Sequence, residues 1–275
     1  MRIDLHIHTT ASDGAWTPEA VVGGAIRGGL DIIAVTDHDT VAAVRSARRS
    51  ASGRGLSILT GIEVSSTHEG RDVHVLGYGV DLDDPALVGY CRRAATGRAD
   101  RMREMLSRLA KLGIQVDFGE VVEAAGPDFV NIGRPHLARV LVTRGFASSI
   151  PNAFDTLIGD GLPAFVPTGL LSPRGAVDLI RAARGVPIWA HPPASLLDGL
   201  LPHLLAHGLR GLEVYRPGHS SGDVSRLVEL CRRQGLLATG GSDWHTPDAG
   251  SALGDFAVSS EQVGAFLDEV GPPQT

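Results

Sequence analysis

The chain has 275 residues, and 25 lysine and arginine residues against 31 aspartate and glutamate residues give it a formal net charge of −6. This mildly acidic balance argues against a general nucleic-acid coat protein, although it leaves room for a local basic groove. Cys91 and Cys231 are the only cysteines and form no Cys-x-x-Cys pair, which disfavours a disulfide scaffold or a cysteine-rich zinc site. No apolar run approaches the roughly 18 residues of a membrane span, so we expect a soluble cytoplasmic protein.

Short apolar segments alternate with helical patterns along most of the chain. The first segment, RIDLHIH, alternates apolar and polar residues, which predicts a strand with His6 and His8 on one face. TPEAVVGGAIRGGL predicts a helix with Thr17 as its N-cap and a proline at its first position. The further predicted strands are DIIAVT, GLSILTGIEVSS, DVHVLGYGV, VPIWAHP, LRGLEVY and LLATGGSDWH. Strand–helix alternation of this kind predicts a parallel sheet or an α/β barrel.

The region between about residues 85 and 167 lacks this rhythm and is predicted to be mostly helical. We therefore predict a barrel formed by residues 1–86 and 166–275, interrupted by a helical insertion at 87–165 that recognises the substrate. Within the insertion, the segment GRPH places Arg134 and His136 at a predicted helix start. An arginine fork beside a helix N-terminus suits a phosphate group.

Most predicted strands carry or end in a histidine or a carboxylate. These polar residues are His6, His8, Asp13, Asp37, His38, Asp39, Glu63, His74, His191, Asp243 and His245. Each one alone could cap a helix or lie satisfied in the core. In an α/β barrel, however, the strand ends meet at one rim, where so many imidazoles and carboxylates would remain unsatisfied. Divalent cations resolve this conflict, and the mixed donor set suits Mn, Fe or Zn.

The motifs DLHIHTTASDG, AVTDHDT, GIEVS, HVLGYG, AHP, LEVY and GSDWH, taken in order, resemble the polymerase and histidinol phosphatase (PHP) superfamily. The segments NIGRPHLARVLV and GLPAFVP are similar to stand-alone members of it that act on nucleotides. The resemblance implies an α/β fold, a distorted seven-stranded TIM-like (β/α)7 barrel with an inserted mainly helical subdomain. It also implies three divalent cations per chain at the barrel rim.

The resemblance further implies which side chains bind each cation. The first cation would be held by His6, His8, Glu63 and Asp243; the second by Glu63, His74 and His191; and the third by Asp13, His38 and His245. By the same resemblance, Arg134 and His136 contact a substrate phosphate.

Such a cluster predicts a phosphoesterase, because a water shared by two cations becomes a hydroxide near neutral pH and the cations neutralise phosphoryl charge. We expect hydrolysis of nucleotide phosphate esters: a 3′,5′-bisphosphonucleoside or mononucleotide phosphatase, or a 5′→3′ exonuclease on short RNA. His219, at the end of LEVYRPGH, is the candidate for protonating the leaving group, with a cation-bound water as the alternative. We expect neither a membrane partner nor a stable nucleic-acid complex.

Four other functions share some of these sequence features. A histidinol-phosphate phosphatase uses the same barrel, but the GRPH insertion argues against it. The proofreading module of a DNA polymerase is disfavoured because no polymerase domain follows. An amidohydrolase with a carbamylated lysine is disfavoured because Lys111, the only lysine, falls in an insertion helix. A non-catalytic metal or nucleotide sensor remains open, as do the native metal, the base preference, the general acid and the oligomeric state.

Overall fold

A curved sheet of eight strands forms the centre of the computed structural model, which describes residues 1–247 and 251–271. The strands are β1 (Arg2–Ile7), β2 (Ile32–Val35), β3 (Ser57–His68), β4 (Arg71–Tyr78), β5 (Val186–Trp189), β6 (Gly211–Tyr215), β7 (Leu237–Gly240) and β8 (Val258–Ser259). Their order in the sheet is β7-β6-β5-β4-β3-β2-β1-β8.

Ten α-helices and one π-helical turn occur in the described residues. The helices are α1 (Pro18–Arg27), α2 (Val44–Ala51), α3 (Pro85–Lys111), α4 (Phe118–Ala125), α5 (Arg134–Thr143), α6 (Ile150–Ala153), α7 (Pro173–Ala182), α8 (Ala194–Ala206), α9 (Ser221–Gln234) and α10 (Ser260–Val270). The π-helical turn is Phe154–Ile158. Thr17 caps α1, as predicted, by accepting a hydrogen bond from the Ala20 N–H. Among the described helices, none combines the length and the hydropathy of a membrane-spanning segment.

The sheet nearly closes into a barrel because β1 is bonded along both of its edges. One edge pairs with β2, and the other contacts two later segments of the chain. The segment after β7 meets the carboxyl end of β1, where the His8 N–H donates to the Trp244 carbonyl at 3.0 Å. At the other end of β1, Arg2 and Ile3 pair with the short strand β8. Strands β1 to β7 confirm the seven-stranded barrel. The eighth strand was not predicted, since two residues are too few to show an alternating pattern.

Strand β4 departs from the predicted parallel arrangement, because it runs antiparallel to both β3 and β5. The two residues between β3 and β4, Glu69 and Gly70, have φ of 49° and 77°. Positive φ at both central positions is typical of a type I′ turn, which joins antiparallel strands. His74 pairs with Ser65 of β3, so it reaches the same rim as Glu63 although it lies in the first half of its strand.

Helices α4, α5 and α6 share a hydrophobic core with part of α3, formed by residues such as Met105, Leu109, Val121, Leu137 and Leu141. Helix α3 belongs to this core through its second half only. Leu87, Tyr90 and Ala94, in its first half, pack in the cluster that includes β3, β4 and α7. The helical region is therefore joined to the barrel by one continuous helix, and its boundaries at 87 and 165 remain a prediction.

Candidate metal centre

The nine side chains predicted to bind cations lie together at one rim of the barrel. Glu63, which is 1% exposed, lies at their centre. Its Oε1 is 3.0 Å from His74 Nδ1 and 3.1 Å from His191 Nε2. Its Oε2 is 3.3 Å from both His6 Nε2 and His8 Nε2 and 3.0 Å from His38 Nδ1. One carboxylate thus faces five imidazoles with two separate oxygens.

Two further carboxylates lie beside Glu63. Asp243 Oδ1 is 3.4 Å from His6 Nε2 and 3.3 Å from His8 Nε2. Asp13 is within 3.6 Å of three imidazoles, those of His8, His38 and His245. His8 therefore contacts both carboxylates and connects the two sides of the cluster.

Three residues in this rim have a left-handed backbone, which is uncommon outside glycine. Asp39, His191 and Asp243 have φ of 55°, 31° and 54°. All three follow the carboxyl end of a strand, where the chain turns away from the sheet. Such conformations are maintained only where the surroundings determine them, and they concentrate at functional sites. His191 and Asp243 are themselves members of the cluster, and Asp39 is the neighbour of a third member, His38.

Glu213, which was not singled out from the sequence, holds two of the histidines. It is fully buried in β6. Its Oε1 lies 2.9 Å from His6 Nδ1, and its Oε2 accepts a hydrogen bond from the His191 backbone N–H at 2.9 Å. A carboxylate on the outer nitrogen of a ligating histidine fixes the ring and increases its basicity. A glutamate between apolar neighbours in LEVY was the available signal.

Asp37 follows the end of β2, but its carboxylate binds a loop of the barrel rim. Its carboxylate accepts hydrogen bonds from the Thr9 N–H at 2.7 Å, the Thr9 hydroxyl at 2.8 Å and the Ser12 hydroxyl at 2.6 Å. These bonds hold the loop that carries Asp13. Asp37 therefore shapes the rim from beneath the cluster.

The charges of the cluster shift the pKa values of its members strongly. Burial would raise the pKa of Glu63, but His38, His6 and His74 outweigh it and hold that pKa well below its usual range. Burial would lower the pKa of His8, but the carboxylates of Asp243 and Glu63 outweigh it and raise the pKa to about 10. For His38, burial prevails over Glu63 and Asp13 and lowers the pKa to about 4. The cluster thus keeps its carboxylates ionised, which favours cations.

Five buried atoms of the cluster make no hydrogen bond within the described part of the chain. They are His6 Nε2, His8 Nε2, His38 Nδ1, Asp13 Oδ1 and Glu63 Oε2. Buried polar atoms normally have partners, and imidazole nitrogens with carboxylate oxygens are the donors that divalent transition metals prefer. The residues present therefore fit divalent cations.

Among residues 1–247 and 251–271, three groups of side chains place their ligand atoms within 4.8 Å of one another. They are His8, Asp13, His38 and His245; His6, His8 and Asp243; and His38, Glu63 and His74. These groups overlap with the three ligand sets expected from the resemblance but are not identical to them. The assignment of each residue to a particular cation remains a prediction.

A cavity joins the cluster to the helical region. Its lining includes Asp13, His74 and other residues of the cluster, together with Arg98, Arg101 and Arg134 of the helical region. Arg134 is the first residue of α5, as GRPH predicted. Carboxylates and imidazoles of the cluster therefore share one cavity with three arginines.

Contacts on several sides fix Arg134. Its Nη1 donates to Asp160 Oδ1 at 2.7 Å, and its Nη2 is 3.4 Å from Asp72 Oδ2. Its guanidinium carbon lies 5.4 Å and 5.2 Å from the ring centres of Phe154 and Phe165. Aromatic faces attract a guanidinium, so the side chain is oriented before any ligand binds.

His136 and His219, the other two predicted substrate or catalytic residues, each use one ring nitrogen in a hydrogen bond to the backbone. His136 is buried in the first turn of α5, where its Nδ1 accepts a hydrogen bond from the Gly133 N–H at 3.0 Å. Burial lowers its pKa to about 4, so it is neutral at pH 7. His219 lies in the loop after β6, and its Nδ1–H donates to the Val214 carbonyl at 2.8 Å. Their roles as phosphate contact and general acid remain predictions.

Lys111 is exposed at the end of α3.

Residues 4–112 match the model of the PHP domain. The chain is 34% identical to the 5′-3′ exoribonuclease Rnm of Escherichia coli strain K12, over 89% of this chain and 85% of that protein. It is 34% identical to the 3′,5′-nucleoside bisphosphate phosphatase of Chromobacterium violaceum, over 90% and 88%. A crystal structure from Bifidobacterium adolescentis, of a protein inferred to be a metal-dependent phosphoesterase, has a TM-score of 0.85, 29% identity, and coverage of 97% and 95%.

Proposed function

Because the chain belongs to the PHP domain family, we propose that it is a metal-dependent phosphoesterase that hydrolyses phosphate esters of nucleotides. The observation that carries this proposal is the cavity between the histidine–carboxylate cluster and the three arginines. One phosphate could lie against the cluster while a second lies against the arginines. Relatives named as a bisphosphate phosphatase and an exoribonuclease favour nucleotide substrates over histidinol phosphate or a sensor.

We propose that three divalent cations, of Mn, Fe or Zn, are held by the nine residues of the cluster. Bound there, they would stabilise negative charge on a phosphoryl group and lower the pKa of water. Glu63 would contribute both of its oxygens, since each faces a different set of imidazoles. Glu213 would keep the His6 ring in place by occupying its outer nitrogen.

The helical insertion at 87–165 would recognise the part of the substrate that is not cleaved. Arg134 is suited to this because two phenylalanine rings hold its guanidinium. Its partner Asp160 is 38% exposed, so this carboxylate can give way to an incoming phosphate. Arg101 would add charge to the same cavity, although Asp72 already pairs with it at 2.8 Å. We propose a 3′,5′-bisphosphonucleoside or a short 5′-phosphorylated RNA as the substrate. With both cysteines free, we propose a reducing cytoplasm as the compartment.

Phosphate release with Mn²⁺ added tests the proposal. The panel contains a 3′,5′-bisphosphonucleoside, a 5′-mononucleotide, histidinol phosphate and a 5′-phosphorylated RNA pentamer, the last also followed by mononucleotide release. We expect turnover of the bisphosphate or the RNA and its loss in His191→Ala. Arg134→Ala should lower kcat/KM for the bisphosphate about 10- to 100-fold, the value of a lost charge-assisted hydrogen bond, and change mononucleotide turnover much less.

Arg144→Ala is the matched control. Arg144 follows α5 and pairs with Glu120 at 2.6 Å, so this variant also loses an arginine–carboxylate pair of the helical region. It should leave every kcat/KM unchanged. Exclusive turnover of histidinol phosphate would contradict the nucleotide assignment. Equal losses on both nucleotides in Arg134→Ala would show that the arginine does not bind a second phosphate.

A further inference from the structure

Asp13 and His38 belong to barrel loops, yet a segment of the helical region holds their backbones. Residues 130–139 run from the loop before α5 into its second turn. The Val130 and Asn131 N–H groups donate to the Ala11 carbonyl at 2.9 and 3.0 Å. The buried Asn131 side chain donates from Nδ2 to the His38 carbonyl at 2.7 Å. One short segment thus fastens both loops.

The same segment also contacts Asp13 directly. Arg139 Nη2 donates to the Asp13 carbonyl at 3.0 Å. Gly133 packs so closely that a Cβ there would lie 3.2 Å from Asp13 Oδ2. Asp13 is therefore contacted from the helical side in addition to the loop contacts made by Asp37, and the lack of a side chain at Gly133 leaves room for its carboxylate.

Arg98 of α3 links the segment to His38 by a second route. Its Nε donates to Asp39 Oδ2 at 2.7 Å, and Asp39 is the neighbour of His38 with a left-handed backbone. Its Nη1 donates to the Ile132 carbonyl at 3.3 Å. The ion pair is buried, with side chains 5% and 0% exposed. Breaking such a pair is strongly destabilising, so this connection is firm.

Three other side chains of the cluster, His6, His191 and Asp243, are held by residues of the barrel. His6 and His191 are both fixed by Glu213 of β6. Asp243 Oδ2 accepts from Arg216, in the loop after β6, at 3.2 Å. The segment 130–139 therefore contacts the loops of Asp13 and His38, whereas none of the contacts that hold His6, His191 and Asp243 comes from it.

From these contacts we propose that the segment 130–139 completes the cation position formed by Asp13, His38 and His245, whereas the other two positions form without it. Asn131 and Arg139 are positioning residues: they contact the backbones of Asp13 and His38 and not the cation. The inference rests on the proposed function, since it requires that the cluster binds three cations. Arg134, the residue proposed to bind a second phosphate, lies in the same segment. The segment would therefore position both this cation and that phosphate.

The test counts bound metal. Wild type, Asn131→Ala, Arg139→Gln and the control Arg144→Ala are dialysed to equilibrium against buffered Mn²⁺ and their metal content is measured by mass spectrometry. We expect three ions per chain in wild type and control. In the two positioning variants, one ion should bind about 10- to 100-fold more weakly, as when an outer-shell partner is removed, and two should be unchanged.

Circular dichroism shows whether each variant folds. If Asn131→Ala does not fold, Arg139→Gln still tests the inference. Three ions of unchanged affinity in both variants would overturn the inference. So would a parallel weakening of all three, because the segment would then support the whole cluster. A wild-type protein that binds no divalent cation would instead overturn the proposed function.

Discussion

Replacing His136 by glutamine should remove part of the protein's loss of stability in acid. Burial lowers the pKa of His136 from its ordinary 6.5 to about 4. Between these values the unfolded chain binds a proton at this side chain and the folded chain does not. Stability therefore falls as the pH decreases from 6.5 to 4. At about 1.4 kcal/mol per pH unit, the full effect is about 3 kcal/mol.

Glutamine is suited to this test because His136 is the third residue of α5 and caps the helix. Glutamine is common at that position of a capping box, and it does not titrate. The free energy of unfolding is measured with urea at several pH values from 7 to 4.5, in a chelator, because metal binding itself depends on pH. On going from pH 6.5 to 5, wild type should lose about 2 kcal/mol more than His136→Gln. Parallel pH profiles would refute the reasoning.

Two further predictions concern the supports of the cluster. Glu213→Gln should weaken Mn²⁺ binding about 10- to 100-fold, measured by titration calorimetry, because it removes a charge that holds His6 and His191; unchanged affinity would argue against a positioning role. Gly241→Ala should lower the thermal midpoint and the metal content together, because its Cβ would lie 2.4 Å from His6 Cβ. Gly199→Ala, where a Cβ meets nothing within 4 Å, is the control and should be neutral or stabilising.

Much of the barrel was predictable because the relevant signals are local. Alternation of period two identified β1, and the Thr17-Pro18 pair identified the start of α1. The residue types of the cluster were equally visible, because most of them follow an apolar run, and Glu63 and His74 interrupt one. Chemistry that depends on residue type at strand ends can be inferred before the strands are arranged in space.

The sequence by itself determined the strand–helix alternation, the identity of the side chains at the rim and the helix caps. Only the tertiary structure decided that β4 is reversed, that Glu213 supports His6 from 207 residues away, and that Asn131 holds His38 from 93 residues away. The physical reason is that periodicity and capping depend on neighbours within a few residues. Contacts between distant residues depend on how whole elements pack, and no local pattern records them.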